Sequence, residues 1–223
     1  MCGRYSLGKK PRCWPEDADD FQPRYNIAPS QDAPVLLHDG SLIVRPMRWG
    51  LIPPWAEDES TGYKMINAKA VTVAEKPAFR QCLQKRRCVI PADGFFEWRK
   101  IARAKIPLRF TLHDNEPFGF AGLWERWYPR GRGAIESFTI ITTEANGLVR
   151  SIHNRMPVIL DGTAMMEWLD SARDFAALQS LFEPFPERLM RHYPVSSKIN
   201  DARLDDPSCI EEVPELQSSL PGI

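Results

Sequence analysis

The chain has 223 residues, 43% hydrophobic and 26% charged, which is the composition of an ordinary globular domain rather than a disordered chain. Its 29 basic and 29 acidic residues balance, which excludes a global basic field and restricts any polyanion to a local groove. No apolar run reaches the about 18–20 residues of a membrane span and no signal peptide opens the chain, so we expect a cytoplasmic protein without a membrane partner.

Short strands separated by turns are predicted along most of the chain. The 20 prolines fall between short apolar runs, as is typical of strand-and-turn proteins. The apolar runs predict strands at residues 34–38, 42–47, 88–91, 107–113, 118–124 and 137–143.

Helices are predicted at residues 78–87, 164–169 and 175–182, and Asp161 is placed to cap the second. Because these helices lie between and after the strands, the predicted class is α+β with a mainly antiparallel core. We expect one domain over residues 1–223. Its end, from about 205 to 223, is rich in proline, serine and acidic residues and is predicted to be a surface tail.

The cysteines and histidines do not predict a metal site. Five cysteines at scattered spacings favour reduced thiols over disulfides. No cysteine–histidine pair has zinc spacing, so we predict neither a metal nor a cofactor.

Cys2 has a chemistry that no internal cysteine shares. Removal of Met1 would give it a free α-amine beside its thiol. In peptides the amine titrates near ~7.7–8.0 and the thiol near ~8.5, so both nucleophiles are expected to be partly available at neutral pH. With an aldehyde the pair can form an imine and then a thiazolidine; with an amide it can act as an N-terminal nucleophile. The alternative is that Cys2 is an incidental buried cysteine. A lipid-anchored cysteine is not favoured, because it would need an apolar export segment upstream.

Polar residues recur in short blocks where a plain core would not place them. The blocks are residues 24–29, 48–55 with 66–69, 87–98 and 152–157. If the third block contains a strand, Glu97 faces away from its neighbours Phe96 and Trp98. It is then either a solvated carboxylate or a carboxyl in an aromatic-walled pocket, where desolvation would raise its pKa.

Three further side chains are candidates for functional roles, and two of them have two readings. His153, beside Arg155, is either a hydrogen-bonded structural residue or an acid–base group on an irregular segment. Asn67 is either a turn residue or a group that orients a substrate. Trp55 follows two prolines and precedes a polar loop, so it is the best candidate for an exposed platform on which bases could stack. Trp124, Trp127 and Trp168 are expected to be core anchors.

Taken together, the blocks resemble the SOS-response-associated peptidase family of abasic-site processing proteins. The match runs from Met1 to Ser196 and the following Asn200, nearly the whole chain. The resemblance implies a compact, largely β, barrel-like core with flanking helices and an active site in a groove. It also implies that the protein, which we expect to be a monomer, caps abasic sites in single-stranded DNA through its N-terminal cysteine, with associated autopeptidase and abasic-site lyase chemistry.

The resemblance also implies roles for individual residues. Cys2 would form the thiazolidine and Asn67 would position the amine and the opened sugar. Glu97 would help open the deoxyribose ring and transfer protons, and His153 would be the second acid–base group. The residues implied to contact or flank the DNA channel are Arg4, Pro29, Trp55, Lys69 and Arg155.

The chain departs from the family pattern at the DNA-contacting positions. Lys69 and Val71 stand where the family usually has arginine and glutamate, and Ala56 follows Trp55 where some members have a second tryptophan. Lysine keeps the charge but loses the planar fork, so we expect weaker DNA contact and intact chemistry.

Two other functions are compatible with parts of the sequence. N-terminal-nucleophile hydrolases such as glutamine amidotransferases also begin Met-Cys-Gly, but that reading leaves the other blocks without a role. A non-enzymatic single-strand DNA binder would use the groove alone. Within the family reading, the peptidase activity could consist only of removing Met1.

Overall fold

The computed structural model describes residues 2–16, 18, 21–102 and 104–214. The strands are β1 (Tyr5–Leu7), β2 (Arg24–Ile27), β3 (Asp32–Asp39), β4 (Ser41–Trp49), β5 (Asn67–Lys69), β6 (Arg87–Ala92), β7 (Gly94–Ile101), β8 (Ala104–Leu112), β9 (Phe118–Trp127), β10 (Ile135–Glu144), β11 (Arg155–Pro157), β12 (Ile159–Leu160) and β13 (Met190–Pro194).

The helices are short and lie around the strands. The α-helices are α1 (Pro77–Lys85), α2 (Gly147–Arg150) and α3 (Gly162–Leu169). The 3-10 helices are Glu59–Lys64, Ala70–Thr72, Ala176–Phe182, Glu187–Leu189, Ser197–Asn200 and Pro207–Cys209. Among the helices of the described ranges, none has both the length and the apolar character needed to cross a bilayer.

Five strands close into a barrel. β4 and β10 pair in parallel, and the ring continues antiparallel through β3, β6 and β9 back to β10. Along β3, Val35 and Leu37 join the core cluster inside the barrel, whereas Leu36 packs outward with α1 and α3 residues. The strand is therefore apolar on both faces, which is why its sequence reads as an unbroken run.

A second sheet, ordered β13-β8-β7-β1-β2, is antiparallel throughout and carries the start of the chain. Tyr5 of β1 pairs with Phe95 of β7. The Tyr5 ring also packs edge-on against Trp49 at 5.2 Å and Phe120 at 5.8 Å, both barrel residues. This packing draws the N-terminal strand into the core and leads Cys2 towards the junction of sheet and barrel.

The α+β fold with a barrel-like core is confirmed, and each predicted strand overlaps an observed one. The predicted cap at Asp161 is also confirmed, since its side chain accepts from the Ala164 N–H at 2.9 Å. The first predicted helix ends at Lys85 rather than 87, because Arg87 opens β6 and its guanidinium donates to the Trp168 carbonyl at 2.7 Å. The helix predicted at 175–182 is a 3-10 helix, a form common in short connectors.

Residues 205–214 pack against the second sheet, whereas a surface tail was predicted for 205–223. The Asp205 carboxylate accepts hydrogen bonds from the backbone N–H groups of Tyr25 and Asn26, the latter at 2.9 Å. Cys209 is fully buried, and the Val213 N–H donates to the Pro194 carbonyl at 3.0 Å. The Asp205 carboxylate thus satisfies backbone donors of β2. Residues 215–223 lie outside the described ranges.

Candidate active site

Cys2 is fully buried, and its backbone is fixed by Asn67. The Asn67 Nδ2 donates to the Cys2 carbonyl at 2.8 Å. Asn67 begins β5, which pairs in parallel with β10 opposite Ile140, and the Trp49 indole anchors the preceding residue through its carbonyl at 2.9 Å. The Asn67 Oδ1 is buried without a hydrogen-bond partner among the described residues. It is therefore an acceptor available to a donor beside Cys2.

Glu97 lies on β7 and is only 6% exposed. Burial raises the pKa of its carboxyl above the usual value, and nearby positive charges, His153 among them, act in the opposite direction. Of the two readings of this residue, the structure supports the desolvated carboxyl and not the solvated one. A carboxyl with a raised pKa can both donate and accept a proton near neutral pH.

The Cys2 thiol is far less acidic than a cysteine in water. Burial raises its pKa well above the usual range, and the negative charge of Glu97 raises it further. The expectation of a partly ionised thiol applied the behaviour of a solvated peptide thiol to Cys2 after removal of Met1, whereas the Cys2 thiol in this structure is buried. The sulfur lies 3.7 Å from the Arg4 carbonyl oxygen, towards which it donates.

His153 is held just after α2 by both its backbone and its ring. Its backbone N–H donates to the Val149 carbonyl at 2.9 Å. Its Nδ1 lies 3.0 Å from the Arg155 backbone nitrogen and 3.2 Å from the Arg155 carbonyl oxygen, so it accepts from the N–H in one tautomer and donates to the carbonyl in the other. These contacts fix the orientation of the imidazole, as an acid–base group requires.

These side chains belong to one cluster. Glu97 and His153 line the same cavity of about 650 Å³. Glu97 interacts electrostatically with both the Cys2 thiol and His153, and Asn67 contacts Cys2 directly. A buried nucleophile, an amide, a carboxyl and an imidazole thus meet where the second sheet joins the barrel.

Lys69 and Arg155 flank a single residue of β10. Lys69, exposed at the end of β5, is the register partner of Thr142. From the other side, Arg155 donates to the Thr142 hydroxyl at 3.2 Å and to its carbonyl. The two cationic residues therefore adjoin the same residue of β10 from opposite sides, and Lys69 shares its strand with Asn67.

Arg4 is half-buried and has structural partners. Its guanidinium donates to the Asn26 Oδ1 at 2.8 Å and to the Ile199 carbonyl at 3.0 Å, and burial lowers its pKa. It ties the N-terminal strand to β2 and to the 3-10 helix Ser197–Asn200. Pro29 is half-buried just after β2.

Trp55 is 59% exposed, as predicted, but it lines a different cavity. This cavity has a volume of about 810 Å³ and includes Trp127 and Tyr128. The Trp127 indole donates to the Ala56 carbonyl at 2.9 Å and so fixes the turn that presents Trp55. The two cavities share no lining residue.

Sequence reasoning missed several residues of the Glu97 cavity. Lys100 and Lys105 line it, as does Asn200, whose Oδ1 accepts from the Trp98 indole at 2.8 Å. The basic residues that follow Glu97 directly in the sequence were the available signal. Within the described ranges, no three His, Cys, Asp or Glu side chains are grouped as a metal site requires.

Comparison with known proteins identifies the family of this chain. The family model described as SOS response associated peptidase (SRAP) matches residues 1–202. The chain is 43% identical to the abasic site processing protein YoqW of Bacillus subtilis, over 95% of this chain and 99% of YoqW. It is 31% identical to the abasic site processing protein HMCES of Xenopus tropicalis, over 95% of this chain and 74% of that protein.

A solved structure shows the same architecture. The crystal structure of a protein from Bacteroides thetaiotaomicron matches with a TM-score of 0.83 and 28% identity, covering 95% of this chain and 100% of that one. The family model covers nearly the whole chain and the fold is shared with that structure, so the chain belongs to the SOS response associated peptidase family.

Proposed function

We propose that this protein processes abasic sites in DNA, and that it does so by capping them in single-stranded DNA through a covalent thiazolidine at Cys2. The observation that carries this proposal is the contact of Asn67 with the Cys2 carbonyl, beside a buried Glu97 and within one cluster with His153. Removal of Met1 would place a primary amine at this point. The relatives named as abasic site processing proteins support the choice of substrate.

The first step in this proposal belongs to Asn67. Its Nδ2 already holds the Cys2 backbone, which leaves Oδ1 as the acceptor for the new α-amine. A hydrogen bond from the amine to this oxygen would orient the nitrogen lone pair towards the substrate. Such orientation lowers the entropic cost of attack on a sugar aldehyde.

Glu97 would make the aldehyde available. An abasic deoxyribose is mostly a closed ring, in which C1 does not react with amines. Because burial raises the pKa of Glu97, its carboxyl can donate a proton to the ring oxygen and accept one from the C1 hydroxyl. The ring oxygen becomes a hydroxyl and C1 becomes an aldehyde carbon.

The remaining steps join both nucleophilic atoms to that carbon. The amine nitrogen attacks C1, and loss of water leaves an imine. The Cys2 sulfur then adds to the same carbon, its proton passing to the imine nitrogen, and the thiazolidine ring is closed. His153 would carry protons during water loss and in the reverse direction. A persistent imine would also allow β-elimination, the lyase reaction, and ring closure through sulfur removes that electron sink.

The thiol's high pKa sets the order of these steps. A buried, protonated sulfur is a weak nucleophile, whereas an α-amine is partly unprotonated at neutral pH. Imine formation therefore comes first. Lys69 and Arg155 would hold DNA phosphates beside the site, with Arg4 and Pro29 at its border and Trp55 stacking a base farther away.

An intact-mass measurement tests the proposal directly. Purified protein should lack Met1, and mixing it with single-stranded DNA bearing one abasic site should give a heat-stable adduct of protein plus DNA minus one water. Cys2→Ala should abolish the stable adduct while leaving reversible DNA binding in place. Cys2→Ser keeps the amine, so it should still give an imine that borohydride can trap.

The same experiment separates the rival functions. An N-terminal hydrolase would turn over glutamine and give no DNA adduct, and a simple DNA binder would give neither. A Cys2→Ala variant that forms the stable adduct at the wild-type yield would rule out the proposed chemistry.

A further inference from the structure

The β7–β8 hairpin extends one wall of the Glu97 cavity beyond the catalytic cluster. The two strands stay paired from Phe95 to Ile101, so the hairpin is a regular antiparallel ribbon. Glu97 lies in its inner half. Lys100 and Lys105 lie in its outer half and line the same cavity of about 650 Å³.

Lys100 and Lys105 are direct register partners across this ribbon. Directly opposite residues in an antiparallel pair have Cβ atoms about 4.5–5.5 Å apart on one face, where like charges destabilise the pair. Both side chains are exposed, and neither forms an ion pair within the part of the chain that the structure describes. Two adjacent, uncompensated ammonium groups are the chemistry that binds an anion.

The cavity connects these charges to the reaction site. Glu97 and His153 belong to the same lining as the two lysines, and Asn200 of the 3-10 helix Ser197–Asn200 belongs to it too. The chain as a whole carries no net charge, so a polyanion would be attracted to local groups such as these. An abasic sugar in a DNA strand has a phosphate on each side.

We propose that the outer half of the β7–β8 hairpin is a phosphate-binding arm, on which Lys100 and Lys105 hold the sugar–phosphate backbone of nucleotides adjoining the abasic sugar. This inference rests on the proposed function and adds a contact surface separate from Lys69 and Arg155. Lysine suits the role because its compact ammonium group can bind a phosphate in many orientations. A binding surface for single-stranded DNA of any sequence requires such tolerance.

The test compares two double variants with the same change in net charge. Lys100→Gln/Lys105→Gln removes the arm, and Lys76→Gln/Lys85→Gln removes two exposed lysines at the ends of α1. Reversible binding of undamaged single-stranded DNA is measured between about 50 and 200 mM salt. Losing two phosphate contacts should make the slope of log affinity against log salt concentration shallower by about 1.4. Over this range of salt, the arm variant should therefore lose about sevenfold less affinity than the wild type does.

Cross-linking is measured in parallel with two aldehydes. The arm variant should react more slowly with abasic single-stranded DNA at low salt, and at the wild-type rate with free 2-deoxyribose, which has no phosphate. The α1 variant should match the wild type with both. Equal losses in the two variants, or no loss in the arm variant, would overturn the phosphate arm.

These readouts distinguish this inference from the proposed function. A wild-type protein that forms no Cys2 adduct with either aldehyde would contradict the proposed function. The binding of undamaged DNA would still report on the lysines, because it needs no chemistry at Cys2.

Discussion

Cys2 and Glu97 are ionisable groups that the fold buries, and burial makes each a weaker acid than it would be in solution. In the proposed reaction the neutral carboxyl would donate a proton to the sugar, and the neutral thiol would add only after the imine has formed. Asn67 would hold the Cys2 backbone in place during these steps. Under this proposal, burial would control reactivity more than a neighbouring base would.

The raised pKa of Glu97 gives stability a defined pH dependence. A carboxyl whose folded pKa exceeds its unfolded value, near ~4.3, costs no stability below that pH and an increasing amount as the pH rises towards the folded pKa. We therefore expect Glu97→Gln to be more stable than the wild type near about pH 8 and equal to it near about pH 4. Thermal unfolding across this range measures the difference.

The same substitution should slow the chemistry. Loss of an acid–base group typically costs about 10²–10⁴ in rate, so Glu97→Gln should cross-link abasic DNA more slowly by that order. His153→Ala should most affect lyase activity and adduct reversal. Wild-type kinetics in both variants, measured with quenched time courses, would remove these residues from the mechanism.

Lys69 provides a gain-of-affinity test at the residue scale. Lys69 is exposed and adjoins Thr142, the residue that Arg155 also contacts, and a forked donor at position 69 could bind a phosphate there in a bidentate manner. Lys69→Arg should tighten single-strand binding modestly, by less than about tenfold. Lys85→Arg on α1 is the matched control, and an equal gain there would contradict the local explanation.

At the scale of elements, the turn after β4 depends on two glycines. Gly50 and Gly62 approach so closely that a Cβ added at Gly62 would lie 2.6 Å from the Gly50 carbonyl oxygen. The segment closed by this contact carries Trp55 and leads into Asn67. It is the element that connects the aromatic cavity to the candidate active site.

Gly62→Ala should therefore destabilise the protein by about 1–3 kcal/mol, because a backbone atom rather than a flexible side chain must move. Single-strand DNA binding should weaken as Trp55 is displaced. Gly133→Ala is the control, since a Cβ there meets nothing within 4 Å. Chemical denaturation of the two variants gives the comparison, and equal stabilities would show that the contact can relax.

Elements with an apolar pattern could be predicted from sequence, and short polar ones could not. The strand predicted at 34–38 lies inside β3, whose sequence contains an apolar run that is buried in the structure. In contrast, β5 is only Asn67–Lys69, which is too short for a periodicity. The site residues were found block by block, but their meeting depends on the β1–β7 and β5–β10 pairings between distant segments. No local pattern encodes those pairings, the burial of the Cys2 thiol or the packing of residues 205–214.

At the scale of the whole molecule, the start of the chain is held by residues 199–205. The side chains of Arg4 and Asn26 both donate to the Ile199 carbonyl. The Asp205 carboxylate accepts a hydrogen bond from the Asn26 N–H of β2. The N-terminal strand that leads from Cys2 is thus held by a segment almost two hundred residues away. Stability of the site and anchoring of residues 199–205 should be coupled.

Asp205→Ala tests that coupling. It leaves the Tyr25 and Asn26 N–H groups without their acceptor, which should cost about 1–3 kcal/mol of stability and slow cross-linking at the distant Cys2. Glu75→Ala removes an exposed carboxylate before α1 and should change neither property. If the Asp205 variant keeps wild-type Tm and rate, the two ends are energetically independent.

The buried thiol has a consequence for survival under oxidising stress, when DNA damage is frequent. Hydrogen peroxide and alkylating agents attack thiolates, and Cys2 is held as a thiol away from solvent. The nucleophile should therefore persist where a solvent-exposed, acidic cysteine would be converted to sulfenic acid. The Cys2 thiol would then remain unmodified under the conditions that damage DNA. Its addition to the imine would be slower than that of a thiolate.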